Sequence, residues 1–354
     1  MKRTSRRGRA IEGEFAALVA AACGADGPGA VLAVTAPLRG VDWRGASGTF
    51  ARGVRKKLKP TDGFRIASMS KTFTATLVMQ LVEEGRLTLG ARLAEFFPKA
   101  FVRRVHPRAS AITLRHLLNH TAGLWDFALS EPWSRELLRE PAQFRHPDAI
   151  LEWAVEHGAP VGDVGERHVY SDTGFVLLGH VLQRVTGIAY ATLCRRRIFR
   201  PLAMNETWLE GHERPRSTLS HAYSGRWDGL QLNGSADWAA GGHVATVADL
   251  ARFVTALFRD GALLSQQSVD EMLVTVPATD ERRYGLGVGV RREAAAGHPE
   301  TMQSLWGHSG HWGSFMFYAP ALRATITGTV NRAGADNRSI FTKVIELVDP
   351  VLNP

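Results

Sequence analysis

Strand patterns at both ends of this 354-residue chain, with helix patterns between them, restrict most strongly how it can fold. Apolar segments rich in valine and bounded by glycine occupy residues 27–53, and similar segments return at 284–293, 314–320 and 322–331. The intervening residues 87–242 alternate helix patterns with loops rich in proline and glycine. Because each strand must bury an apolar face, the economical arrangement is one sheet built from both chain ends, with the helical part as a second lobe.

We therefore predict a single domain over residues 11–354, of mixed α/β (α+β) class. Its sheet lobe comprises about 11–68 and 245–354, and its mainly helical lobe about 69–244. Apolar residues recur at helical spacing near both ends, which predicts two helices flanking the sheet, at Ile11, Phe15, Leu18 and Val19 and at Ile340, Phe341, Val344, Ile345 and Val348. Residues 1–10, with five basic residues and no acid, are predicted to be a flexible basic tail.

A predicted helix from about Ser70 to Glu84 should lie at the centre of the molecule. It is apolar almost all round, which is typical of a buried helix, and Gly85 follows as its C-terminal stop. Ser68 and Lys71 stand three residues apart at its start, so both side chains point at one spot. A serine beside a candidate base at the start of a buried helix indicates a reaction centre, whereas we expect Ser70 to be structural.

The formal net charge of +9 raises the question of a nucleic-acid or membrane partner. The excess is concentrated in separate patches without interleaved aromatic residues, namely the N-terminal tail and residues 52–59 and 195–200. No zinc-finger, helix-turn-helix or RNA-binding pattern accompanies them, and no apolar run approaches the ~18 residues of a membrane span. We expect neither nucleic acid nor a bilayer as a partner, and nothing in the sequence indicates an oligomeric state.

The predicted compartment is the cytoplasm. Glu12 and Glu14 interrupt the apolar stretch that would follow the basic start of a signal peptide. Three alanines precede Cys23, a poor match to a lipoprotein cleavage site, and export to the periplasm or cell surface stays the alternative. Cys23 and Cys194 are too few for a disulfide framework.

Two patterns imitate other enzymes without their essential residues. His116 and His120 lie one helical turn apart as in a zinc protease, but Leu117 stands where that motif has glutamate. The segment "GHSGH" around Ser309 imitates a nucleophile elbow, but His311 replaces its last glycine. We expect no metal and no cofactor.

Three motifs follow one another in the chain: "FRIASMSKTFTA" with Ser68 and Lys71, "YSD" at residues 170–172, and "HSG" at residues 308–310. In this order they resemble the serine β-lactamase and penicillin-binding-protein superfamily, nearest its class C β-lactamase, D-alanyl-D-alanine carboxypeptidase and carboxylesterase branch. The phrases "LRHLLNHTAGL", "GGHVATVADLARF" and "YGLG" are similar to that branch as well. The resemblance implies a β-lactamase/transpeptidase-like fold with an antiparallel sheet and a covalent acyl-enzyme on Ser68.

The chemistry of acyl transfer accounts for the residue types. A serine hydroxyl is a weak nucleophile and needs a base, and a lysine is charged at pH 7 unless burial and neighbours favour the free amine. Tyr170 is the natural second proton carrier, and it would titrate with Lys71 as a unit. By resemblance, the backbone N–H groups of Ser68 and His311 form the oxyanion hole.

The resemblance also implies that Asp172, His308, Ser309 and Gly310 bind the substrate, and two of these depart from the family pattern. Asp172 replaces the usual asparagine, so it can only accept hydrogen bonds; it could pair with Lys71 and oppose its work as a base, or cap the following helix. His308 replaces lysine and removes a permanent positive charge, which weakens the case for a substrate with a carboxylate. A structural role of His308 is the alternative.

The predicted activity is that of a serine hydrolase acting on a small ester, amide or peptide, with esterase-like hydrolysis of small esters or amides as the leading reaction. A D-alanyl-D-alanine carboxypeptidase or D-amino-acid peptidase is the second reading, and a weak β-lactamase the third. From another class, the chain could be a catalytically idle binding or sensor domain, but an idle domain has no reason to keep Ser68, Lys71 and Tyr170 together.

Overall fold

The computed structural model describes residues 6–23 and 28–352 of the chain. The α-helices, numbered α1 to α12, are Arg6–Ala22, Ser70–Glu83, Lys99–Val105, Leu114–Leu118, Glu131–Arg139, Pro147–His157, Asp172–Thr186, Tyr190–Cys194, Trp238–Gly241, Val247–Phe258, Gln266–Met272 and Arg338–Val348. The strands, β1 to β13, are Ala30–Ala36, Val41–Ser47, Phe64–Arg65, Trp208–Leu209, Tyr223–Ser224, Trp227–Asp228, His243–Ala245, Val276–Pro277, Arg282–Tyr284, Gly289–Ala295, His298–Gly310, Ser314–Ala319 and Ala324–Thr329.

The main sheet has eight strands in the order β2-β1-β13-β12-β11-β10-β9-β8, and every neighbouring pair is antiparallel. Its strands come from residues 30–47 and 276–329, and most of the helices lie between these two segments in the chain. This confirms the predicted fold class, an antiparallel sheet built from both chain ends together with a mainly helical part. Two smaller sheets, β3-β7-β4 and β5-β6, were not predicted.

The sheet is covered on both faces, which explains why β1, β12 and β13 are almost wholly buried. In β1, Val31 and Ala33 face a core shared with the helical part, whereas Leu32 and Val34 face a core shared with α1 and α12. This alternation follows from the two-residue period of a strand. The terminal helices therefore lie on the face of the sheet away from the helical part, and the central helix α2 lies on the other.

The central helix α2 has eleven buried residues among its fourteen, as its all-round apolar pattern predicts. Gly85 follows it with a φ of 69°, the left-handed conformation that ends many helices. Ser70 is structural as expected, but it does not cap the helix: its Oγ accepts a hydrogen bond from the His243 backbone N–H at 3.2 Å. This contact connects the start of α2 to the small sheet that contains β7.

Two expectations change at the level of the backbone. Helix α1 begins at Arg6, so residues 6–10 are helical rather than part of a tail, and residues 1–5 lie outside the described residues. The "HSG" motif, expected at the entrance of a strand, forms the end of the thirteen-residue strand β11. The boundaries proposed for the two lobes stay predictions.

Candidate active site

The candidate nucleophile lies on a tight turn between β3 and α2. Ala67–Met69 form a single 3₁₀ turn, and Ala67 has a φ of 47°, a conformation that costs free energy for a residue with a Cβ. Every residue from Asp62 to Met79 is buried except Ser68, which is half-buried. The strained turn therefore leaves one serine side chain partly exposed within an otherwise buried segment.

The ammonium group of Lys71 is completely buried and has three oxygen partners. Its Nζ donates to Ser68 Oγ at 3.0 Å and to the Ala240 carbonyl oxygen at 2.8 Å, and it lies 2.5 Å from Asp172 Oδ1. Lys71 Nζ thus donates two hydrogen bonds and forms an ion pair with the Asp172 carboxylate. The structure thus brings the predicted serine and lysine together, and it confirms that Asp172 pairs with Lys71.

The Tyr170 hydroxyl is buried close to the same serine. It forms no well-aligned hydrogen bond within the described residues, and its ring lies beneath Lys71 Nζ at 4.9 Å from the ring centre. Burial, and next the charge of Asp172, raise the pKa of Tyr170 well above its usual value, while the Ser68 side chain lowers it. Tyr170 is therefore a neutral phenol at physiological pH, able to donate a proton rather than to take one.

Asp172 is not a helix cap. The cap position of α7 belongs to Ser171, whose hydroxyl donates instead to the Trp125 carbonyl oxygen at 2.7 Å. Asp172 is the first residue of α7, and its side chain is directed to Lys71. The capping alternative is wrong, and the electrostatic interaction with Lys71 is what its carboxylate does in this structure.

Two further carboxyl groups lie close to this pair, and neither was predicted. Asp126 Oδ1 accepts a hydrogen bond from the Asp172 backbone N–H at 3.2 Å. Burial, and next the charge of Asp172, raise the pKa of Asp126 to about 7 and that of Asp237 to about 6. Asp126 follows the family-like phrase "HTAGL" by two residues, which is the only sequence signal that could have drawn attention to it.

His308 is held by two hydrogen bonds inside the protein. Its Nδ1 donates to the Ser309 carbonyl oxygen at 2.7 Å, so its Nε2 accepts from the Tyr284 hydroxyl at 2.8 Å. Burial, and next the positive charge of Lys71, lower the pKa of His308 to about 3. His308 is therefore neutral, and neither ring nitrogen is free for a substrate. The missed partner Tyr284 begins the "YGLG" phrase.

The His120 ring packs against the Tyr170 ring, with ring centres 4.2 Å apart and an angle of 36° between the ring planes. Its Nδ1 accepts from the Ser171 backbone N–H, and burial together with nearby positive charge lowers its pKa well below the usual value. His116 instead accepts from the Thr113 backbone N–H at the start of α4. Within the described residues no group of three or more histidine, cysteine or acidic side chains could hold a metal ion.

The end of β11 lies against the turn of the nucleophile. A Cβ on Gly310 would collide with the Ile66 carbonyl oxygen and the Ser314 hydroxyl, so only glycine fits where β11 meets this turn. Ser309 and His311 beside it are exposed. Gly310 thus allows the backbone of Ile66 to approach β11 closely. The role of the Ser68 and His311 N–H groups as an oxyanion hole stays a prediction.

Comparisons with known proteins identify the family of this chain. A family model described as Beta-lactamase matches residues 15–348. Penicillin-binding protein 4 of Amycolatopsis lactamdurans is 30% identical over 245 residues, covering 66% of this chain and 60% of that protein. Penicillin-binding protein 4* of Bacillus subtilis is 26% identical, covering 73% of this chain and 57% of that protein. The chain thus spans less than two thirds of the length of these relatives.

Solved structures of similar size match almost end to end. A D-stereospecific amidohydrolase from Streptomyces sp. has a TM-score of 0.79 and 29% identity, and covers 97% of this chain and 99% of its own. D-amino acid amidase from Ochrobactrum anthropi SV3, solved with L-phenylalanine, has a TM-score of 0.78 and 29% identity, with 99% and 98% covered. No helix in the described part of the chain combines the length and apolar character needed to cross a bilayer.

Proposed function

Because the chain belongs to the Beta-lactamase family of serine hydrolases, we propose that it is an amidohydrolase that cleaves amides and esters of amino acids, with a preference for the D configuration. Ser68 forms the acyl-enzyme. Asp172 and Asp126 attract the ammonium group of the substrate, and the leaving group is ammonia, a neutral amine or an alcohol.

The reaction proceeds by two acyl transfers. Ser68 Oγ attacks the substrate carbonyl carbon while its proton passes to the Lys71 amine, and the oxyanion is received by backbone N–H groups. The proton then reaches the leaving group from Lys71, with the neutral phenol of Tyr170 as the donor that relays it. The leaving group takes up a proton and departs as the ester of Ser68 forms. Water then attacks this ester, returns the proton to Ser68 and releases a carboxylic acid.

The charges of the site carry the proposal. Among the described residues, a substrate carboxylate would find no unpaired cation at the catalytic site. His308 is neutral. Lys71 forms an ion pair with Asp172, and the nearby Arg65 forms one with Glu210. A substrate ammonium would instead lie close to carboxyl groups in a site of low dielectric, where such attraction is strong. This favours substrates with an amino group and an uncharged leaving group.

The solved neighbours support the same substrate class. They are a D-stereospecific amidohydrolase and a D-amino acid amidase, and amino-acid amides carry an ammonium group and no carboxylate. Our leading prediction from sequence, esterase-like hydrolysis of small esters or amides, remains compatible because an acyl-enzyme can form from both. D-alanyl-D-alanine peptides and β-lactams carry a carboxylate, for which the described residues of the site offer no unpaired cation.

A matched substrate panel tests the proposal. We expect D-phenylalanine amide and its methyl ester to be hydrolysed faster than N-acetyl-D-phenylalanine amide, in which the ammonium is absent, and faster than D-alanyl-D-alanine or a chromogenic cephalosporin. Intact-mass detection of the acyl-enzyme identifies turnover through Ser68. Preferential hydrolysis of the carboxylate-bearing substrates would overturn the assignment, and absence of both turnover and acyl-enzyme would favour a binding domain.

Asp126 predicts a specific pH dependence of substrate affinity. Its pKa of about 7 means that it gains a negative charge as the pH rises from 6 to 8. Asp126→Asn keeps the acceptor for the Asp172 and Ala128 N–H groups but removes this charge. The ratio of KM for D-phenylalanine amide, variant over parent, should therefore rise about fivefold across pH 7, equivalent to roughly 1 kcal/mol.

The comparison is internally controlled, because the amino group of the substrate titrates identically with both proteins. N-acetyl-D-phenylalanine amide is the matched substrate, and its KM ratio should stay constant with pH. If the KM ratio for D-phenylalanine amide also stays constant with pH, Asp126 does not face the bound ammonium.

A further inference from the structure

A second cavity lies outside the catalytic site, beside α8 and the short helix α9. Its volume is about 660 Å³, within the range of roughly 300–1,000 Å³ typical of small-molecule sites. None of Ser68, Lys71, Tyr170, Asp172 or His308 lines it. The proposed hydrolysis therefore leaves this cavity without a role.

Two of the arginines that line the cavity have no acidic partner. In the basic segment 195–200, Arg195 pairs with Glu213 and Arg197 with Glu84. The side chains of Arg196 and Arg200 form no ion pair with any described residue, and both line the cavity. The lining as a whole contains three arginines and two carboxylates, Asp148 and Glu213, so its net charge is positive by one.

The backbone of this segment is unusual. Arg195–Phe199 form one turn of π-helix, closed by a hydrogen bond from the Arg200 N–H to the Arg195 carbonyl oxygen at 2.8 Å. Arg196 and Arg200 are four residues apart in the helical segment, so they lie on the same side of it. π-Helical turns are rare and occur frequently at functional sites.

The remaining walls offer aromatic surface and one orphan polar atom. Trp238 and Tyr190 line the cavity, and Phe144, 45% exposed, also lines it. The His212 Nε2 atom is buried without a hydrogen-bond partner among the described residues. Burial lowers the pKa of His212, so its ring is neutral and can donate one hydrogen bond to an acceptor.

We propose that this cavity binds an organic anion, namely a carboxylate carried on an aromatic body. Arg196 and Arg200 hold the carboxylate, because guanidinium groups match its planar geometry. The aromatic body packs against Phe144, which is 45% exposed and would otherwise leave its apolar ring in water, and against the buried edge of Trp238. The ligand is distinct from the proposed substrate, which is cationic and binds among carboxyl groups.

The test is calorimetric titration of the whole protein with 3-phenylpropionate, with uncharged 3-phenylpropan-1-ol as the matched control. We expect saturable binding of the anion that weakens with added salt, and at least about tenfold weaker binding of the alcohol. Arg196→Gln/Arg200→Gln should weaken binding of 3-phenylpropionate at least about tenfold.

The matched control variant is Arg103→Gln/Arg197→Gln, which removes the same charge from one exposed helix position and from the same π-helical segment without touching the cavity. It should bind 3-phenylpropionate like the parent. No binding by the parent, equal weakening in both double variants, or undiminished binding by Arg196→Gln/Arg200→Gln would each overturn the proposal. All these outcomes are independent of Ser68 chemistry, because the titration requires no turnover.

Discussion

Ser68→Ala should lower kcat/KM for D-phenylalanine amide by at least about 10³-fold while the protein stays folded. The substitution removes the oxygen that forms the covalent bond, so the acyl-transfer route is lost as a whole. Ser68 is half-buried and accepts one hydrogen bond, from Lys71, so alanine fits the same turn. Initial rates and the melting temperature, measured side by side, separate loss of chemistry from loss of fold.

Ser339→Ala provides the matched control, because Ser339 is an exposed serine in the terminal helix α12, on the other face of the main sheet. It should retain the activity of the parent. A fluorophosphonate should label the parent and Ser339→Ala on Ser68 and should not label Ser68→Ala. Peptide mapping that places the label on Ser70 or Ser309 would refute Ser68 as the nucleophile.

The parts of the fold that sequence reasoning could predict are those with a strong local pattern. Helix α2 is apolar almost all round, the segment 314–320 is a nearly continuous apolar run, and the segment 322–331 alternates apolar residues with threonine, so their type and burial follow from their patterns. That strands near both ends share one sheet follows from the need to bury their apolar faces. Both inferences depend on hydrophobic burial, which acts over the whole chain.

The parts that could not be predicted depend on pairing between distant segments. Strands β4 and β7 have two and three residues, too short for a periodic signal, and they exist because they pair with each other and β7 with β3. The length of β11 likewise cannot be predicted from the sequence, because the first half of the strand is mostly polar and exposed or half-buried and so has no apolar pattern. Such elements are decided by tertiary contacts rather than by local propensity.

The candidate site divides in the same way. The motifs contain the residue types that acyl transfer needs, namely a nucleophile, a base and a proton carrier. The structure brings these three residues together: Ser68, Lys71 and Tyr170. Asp126 acts through its nearness to Asp172, although 46 residues separate the two in the chain. An isolated aspartate in a loop carries no sign of such a neighbour, so it cannot be found by inspection of the sequence alone.

Asp172→Asn should move the rise of kcat/KM with pH to lower pH by about 1–3 units, which is the effect expected for a charge within hydrogen-bond distance. The Asp172 carboxylate lies 2.5 Å from Lys71 Nζ and favours the charged ammonium, which cannot accept the Ser68 proton. Asparagine removes that charge at nearly constant volume. Removal of this charge should therefore make acylation faster at neutral pH.

The same change should lower the free energy of unfolding by an amount that depends on pH. It leaves the buried ammonium without its carboxylate partner, and an unpaired buried ammonium opposes folding. The variant should therefore be less stable than the parent near neutral pH, and the difference should shrink as the pH rises. Urea unfolding at several pH values measures this difference.

The two readouts together distinguish a charge effect from simple damage. Asp163→Asn, which removes an exposed carboxylate paired with Arg108 on the surface, is the matched control and should leave both profiles in place. Substrates with an acylamide group should gain relative to simple esters in Asp172→Asn, because the new amide N–H can donate to their carbonyl oxygen. If the pH–rate curves of an ester and an amide coincide in parent and variant, Asp172 does not restrain Lys71. The proton of Ser68 would then have to reach the leaving group by a route that bypasses this ion pair.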